Sequence, residues 1–127
     1  MAYGIRRLFS RPFEDVVLRT RQALEAHGFG VLTEVDVQKV LKQKLHLEHP
    51  KYLILGACNP KLAHEALHKD RGIGLFLPCN IIIYQDGTSV VVMAQEPTKI
   101  AELLENDELD AVSAGVESLL RQVIQSI

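Results

Sequence analysis

Apolar and polar positions along the chain switch between a period near two and a period near 3.6, and those switches predict the order of elements. Tyr3 to Phe9 reads as a first strand. Ser10 is a candidate N-cap, and Pro12 presets the φ of a first helical turn. Phe13, Val16, Val17, Thr20, Ala23 and Leu24 then recur at helical spacing, and Gly28 places the helix end near His27. Phe29 to Val35 alternates as a strand. Asp36 caps a short helix over Val37 to Leu45, and Tyr52 to Ala57 is apolar and short enough for a central strand. Asn59 caps the next helix, Pro60 opens it, Leu62, Ala63, Ala66 and Leu67 form its stripe, and Gly72 is its exit.

Cys79 to Tyr84 and Ser89 to Ala94 are predicted strands joined through Asp86-Gly87, the strongest hairpin signal in the chain. The triple isoleucine and triple valine they carry suggest cover on both faces, at least in part. Glu96-Pro97 stops the last strand. Two helical stretches follow, about 99–105 and 109–124, the second with Leu109, Val112, Val116, Leu119, Leu120 and Val123 on one face. The hairpin forces an antiparallel pair, which excludes a purely parallel doubly wound sheet. The predicted class is α+β, a largely antiparallel sheet with helices packed on one face.

Bulk properties narrow the function classes. A chain of 127 residues suits one compact domain, 1–127, with a real core. At 47% hydrophobic and 24% charged residues, disorder is disfavoured. The net charge of −2, with both signs interspersed, argues against a nucleic-acid partner, because Arg6, Arg7 and Arg11 are diluted by Glu14 and Asp15. Two cysteines are too few for a disulfide framework. The N-terminal residues lack a signal-like apolar core, and Ile73 to Ile83 is broken by Gly74, Pro78 and Asn80. A soluble cytoplasmic protein with no membrane partner is expected.

The candidate chemistry gathers at the strand ends. Cys58 lies just before the Asn59-Pro60 helix start, where a helix dipole favours a thiolate, and Cys79 follows Pro78 at the start of a strand. If these strands run antiparallel, the two thiols share one edge of the sheet. Free cysteines are more commonly small buried hydrophobes, and no Cys-x-x-Cys or adjacent base supports the sharper view. Glu34 and Asp36, two apart on a strand, point the same way and suit an acid/base pair or a cation; capping and solvation explain them equally well. His64 and His68 satisfy His-Glu-x-x-His literally. They fall opposite the apolar stripe of a short helix, and none of Asp70, Glu96 or Glu102 has a recognised third-ligand spacing, so a solvated face is the better reading. Gly72-Ile73-Gly74 is too short for a dinucleotide loop, and no cofactor motif is found.

At Glu34-Val35-Asp36-Val37, Leu55-Gly56-Ala57-Cys58-Asn59-Pro60, Leu62-Ala63 and Leu77-Pro78-Cys79-Asn80 the chain resembles the bacterial and archaeal domain-of-unknown-function family 302. The resemblance runs from about Phe9 to the C-terminal helix. It implies a TATA-binding-protein-like fold in strand-helix-four strands-helix order, with the short helices at 37–45 and 60–71 inserted between strands. It implies no activity, cofactor or substrate, and the fold name does not bring DNA binding with it.

Two functional expectations follow. One is a module that binds a small molecule or a protein partner where Glu34, Asp36, Cys58, Asn59, Cys79 and Asn80 converge. The other is a thiol-dependent enzyme or redox protein using Cys58 or Cys79. A homodimer is expected as well. The mean hydropathy of +0.08 is high for a small domain, and Leu119, Leu120, Val123, Ile124 and Ile127 spread over more helix surface than one sheet face needs. Tyr3 to Phe9 is a candidate edge strand open to pairing.

Overall fold

Five strands pair in the order β1-β5-β4-β3-β2, every neighbour antiparallel, in a computed structural model that describes residues 3–127. They are β1 (Ile5–Phe9), β2 (Gly30–Asp36), β3 (Tyr52–Cys58), β4 (Cys79–Asp86) and β5 (Ser89–Ala94). The helices are α1 (Phe13–Ala26), α2 (Val37–Leu45), α3 (Pro60–Lys69), α4 (Pro97–Leu104) and α5 (Asp110–Ser126). Short 3-10 turns lie at Arg71–Phe76 and Asp107–Leu109. The fold is α+β with a five-stranded antiparallel sheet, in the order read from periodicity.

Strand alternation decides which side of the sheet is covered. Ile5, Phe9, Leu53, Leu55, Ala57, Cys79, Ile81, Ile83, Val90 and Val92 project to one face and pack with Phe13, Val16, Val17 and Leu24 of α1 and with Leu120, Val123 and Ile124 of α5. Each large aliphatic side chain fully withdrawn from water there contributes on the order of 2 kcal/mol. A second cluster, around Ile73, Ala101, Leu109 and Val112, joins α3, α4 and the start of α5 at the end of the sheet where Cys79 begins β4.

Local signals explain most boundaries. The Asp36 carboxylate accepts from the Lys39 amide at 3.0 Å, and the Asn59 side chain from the Leu62 amide at 3.1 Å, so both act as N-caps. Gly87 takes φ +59 in the β4–β5 turn. Gly56 is required by close approach: a methyl there would overlap the Thr33 hydroxyl oxygen and stand 2.6 Å from Pro78 Cγ.

Some expectations are corrected. Ser10 caps nothing; Pro12 itself occupies the N-cap of α1, with no side-chain cap bond. Of the α3 stripe only Ala66 is buried, and Leu67 is exposed, because this helix meets α5 and the 3-10 turns rather than the sheet. The apolar excess of α5 is absorbed at home: Leu120, Val123 and Ile124 are buried, and Leu119 and Ile127 pack partly buried against the same core. Arg7 fastens that helix end, donating from Nη1 to the carbonyls of Ile124 (3.0 Å), Gln125 (2.9 Å) and Ile127 (3.3 Å) while its guanidinium lies 4.7 Å from the Phe9 ring centre. β1 does lie at an edge of the sheet, as expected.

Candidate functional site

The six residues expected to converge fall in three places. Antiparallel pairing of β3 with β4 sets Ala57 opposite Cys79 and Gly56 opposite Asn80, which brings Cys58, Asn59 and Cys79 to one edge of the sheet. Pairing of β2 with β3 sets Gly30 opposite Cys58, but Glu34 opposite Leu55 and Asp36 opposite Leu53. At about 3.3 Å per residue, Asp36 therefore lies some 15 Å along the strand from the cysteines.

Cys58 is half-buried and Cys79 buried; both are free thiols. Between them, α3 and Val116 of α5 lies a crevice of about 40 Å³, room for water but not for a ligand of ordinary size, which needs several hundred. Burial pushes the Cys79 thiol up; a hydrogen bond with the Gln95 side chain opposes this, and the nearby Cys58 adds to it. That environment stores a neutral thiol rather than a nucleophile. Asn59 spends its side-chain oxygen on the α3 cap.

Glu34 and Asp36 share a face, as their spacing requires, and line a polar recess of about 320 Å³ between α1 and the strand ends. Both carboxylates are engaged there: Glu34 Oε1 accepts from Arg21 Nη2 at 2.7 Å, and Asp36 caps α2. His64 and His68 are exposed on α3 beside Lys61, Glu65 and Lys69. Among the described residues no group of three His, Cys, Asp or Glu side chains is placed to hold a metal ion.

Asn80 points the other way, onto the sheet face that α1 and α5 leave uncovered. It lines a groove of about 370 Å³ with Ile82, Met93, Gln95, Tyr3 and Ile100 of α4. The groove is held in shape at its end. Gln95 N donates to the Asn80 carbonyl at 3.3 Å. The Glu96 carboxylate accepts from Gly4 N at 2.6 Å and lies 3.5 Å from Lys99 Nζ and 3.6 Å from Arg121 Nη2. Arg121 also meets Glu117, which accepts from the Thr98 amide (3.2 Å) and hydroxyl (2.6 Å) and so caps α4 from outside it. Burial alone would raise the Glu117 pKa, but these donors and the Arg121 charge outweigh it and hold the carboxyl below its ordinary value.

The same uncovered face carries a feature that the linear reading missed: all three tyrosines of the chain. Tyr52 and Tyr84 are register partners whose rings stack at 5.4 Å and 13°. Burial raises the Tyr52 hydroxyl, and Tyr84 and then Tyr3 raise it further. The only sequence trace was their parity, since Tyr84 and Ile82 alternate with the inward Ile81 and Ile83.

Sheet order and one-sided helical cover define an α+β module. The chain belongs to the family whose model is described as "Domain of unknown function DUF302", matched over residues 6–127. A crystal structure of an uncharacterized conserved DUF302 protein from Bacillus stearothermophilus is similar over 100% of both chains, with 25% identity and a TM-score of 0.90. No curated protein matches. Among the described residues no helix is long and apolar enough to cross a membrane.

Proposed function

We propose that this protein is a binding module whose site is the groove beside Asn80, and that it takes an apolar small molecule or an apolar side chain of a partner. The observation that carries this reading is the groove's make-up: about 370 Å³, walled by Ile82, Met93, Ile100 and Tyr3, with the Asn80 and Gln95 amides as the polar groups that orient a guest. A mostly apolar concavity with a few fixed hydrogen-bonding groups is the usual form of a small-molecule site. The thiol crevice has the right neighbours but lacks the volume, and the raised Cys79 disfavours thiol chemistry. The Glu34–Arg21 recess has the volume, but its charges are already matched.

The test uses 8-anilinonaphthalene-1-sulfonate, an apolar fluorescent probe. The folded protein is expected to enhance its emission saturably. Ile82→Trp, which fills the groove from a half-buried position, is expected to weaken that binding at least tenfold, while Cys58→Ser, in the thiol crevice, leaves it unchanged. Equal binding by wild type and Ile82→Trp removes the groove as the site.

A further inference from the structure

We propose that His64 and His68, about one turn apart on α3, form a surface chelate for a single late transition-metal ion such as Cu²⁺, Ni²⁺ or Zn²⁺. The inference goes beyond the groove reading, since neither residue lines the groove. Both imidazoles are exposed, in a shallow concavity shared with Lys61, Glu65 and Lys69. Among the described residues neither ring is engaged by another group. His27 and His49 differ, each holding its Nδ1 at 2.7 Å from a backbone carbonyl, of Ala23 and Pro50.

Spacing supplies the geometry. Residues four apart on a helix carry Cβ atoms about 5–6 Å apart on one face. Imidazoles leaning together from that separation can set two ring nitrogens on one ion, at about 2.0–2.1 Å each. The helix beneath them is fixed. Asn59 caps its first turn at 3.1 Å, Pro60 opens it, and Ala66 on the opposite side is buried in the second core cluster. Ligands carried on such a braced element lose little freedom beyond their own rotamers. His68 lies in the last turn, where the helix dipole favours a cation, and Glu65 offsets one of the two neighbouring lysines.

Ligand type selects the metal. Paired imidazoles suit copper, nickel and zinc, with affinity rising toward Cu²⁺, whereas Mg²⁺ and Ca²⁺ require oxygen donors. Glu65 follows His64 directly, so its side chain leaves the helix about 100° away from that ligand. The remaining coordination positions therefore belong to water, in keeping with the lack of a third protein ligand among the described residues. One ligand short of a catalytic zinc centre, the pair captures an ion and implies no hydrolysis.

Calorimetric titration of the untagged full chain with Ni²⁺ tests this. Nickel is the probe because the free thiols Cys58 and Cys79 do not reduce it. One ion per chain is expected, and its paramagnetism should broaden the amide signals of Ala63 to Lys69 first. Losing either ligand breaks the chelate, so His64→Ala and His68→Ala should each weaken binding at least about tenfold. His46→Asn, which removes a lone exposed imidazole at the end of α2, should leave it unchanged. Both ligands are exposed, and unchanged amide spectra elsewhere would verify that the variants fold. No binding at millimolar Ni²⁺ overturns the proposal. So does binding that survives either alanine substitution, or broadening centred on Cys58, which would put the ion on the thiol. Neither variant alters a groove residue, so the fluorescent probe reports on the groove reading independently.

Discussion

Replacing Gly56 by alanine adds one methyl where two chain segments meet, and the cost can be worked from its surroundings. The added carbon would overlap the Thr33 hydroxyl oxygen on β2 and lie 2.6 Å from Pro78 Cγ, while Thr33 Cβ at 3.4 Å stays in ordinary contact. Thr33 is exposed on an edge strand and can change rotamer. The Pro78 ring cannot bend away, and moving it shifts the start of β4, which carries Cys79 and Asn80. Overpacking of this kind costs about 1–3 kcal/mol. For a chain of this size that corresponds to a fall in Tm of about 4–12 °C. Thermal melts followed by circular dichroism, with urea midpoints as a second measure, read the effect. Thr33→Ala in the Gly56→Ala background is expected to recover part of the loss, the part due to the hydroxyl, and leave the Pro78 clash. A Gly56→Ala protein that melts within a degree or two of wild type would refute the account of this glycine as a close-approach position.

Three further outcomes are expected. Glu117 has a folded pKa below its unfolded value of 4.5, so the stability it contributes is complete above that pH and is lost as pH falls through the folded value; Glu117→Gln should lower Tm at neutral pH and flatten the acid side of the stability profile, and an unchanged profile counts against the external cap on α4. Arg7→Ala removes the three carbonyl contacts at the end of α5 and the stacking on Phe9, a loss of about 1–3 kcal/mol by urea denaturation; a loss no larger than that of Arg6→Ala would show that the anchor contributes nothing particular. Iodoacetamide at neutral pH should label half-buried Cys58 well before buried Cys79, whose pKa is raised, and mass spectrometry showing equal rates would contradict the described environment.

The sequence carried the element order because apolar spacing and cap residues are local signals. Val37–Leu45 and Ser89–Ala94 match their predicted bounds, and Asp36 and Asn59 cap as their residue types suggest. The direction of one pair was legible too, since one Asp-Gly turn fixed the β4–β5 hairpin; the meeting of Cys58 with Cys79 hung on β3 and β4 being antiparallel, which no local signal decides. What periodicity does not contain is the distance along paired strands. Glu34 and Asp36 looked near the cysteines only until register placed Glu34 opposite Leu55 at the middle of β3 and Asp36 opposite Leu53 near its other end. Nor does it contain which residues share the open face: Tyr3, Tyr52 and Tyr84 lie far apart in sequence and meet only through the order β1-β5-β4-β3-β2. The surplus apolar surface was assigned to α5 because a helix displays its stripe in sequence. The sheet covers that stripe.

The groove beside Asn80 is the central claim, and amide chemical-shift mapping with 8-anilinonaphthalene-1-sulfonate tests it most directly. The probe is titrated into isotope-labelled full-length protein, and shifts are followed residue by residue. The account predicts that the largest saturable changes fall on Asn80, Ile82, Met93, Gln95 and Ile100, with Cys58 to Leu62 unmoved. Changes centred on Cys58, Asn59 and Ala63, or on Arg21, Glu34 and Lys51, with the Asn80 groove silent, would contradict it.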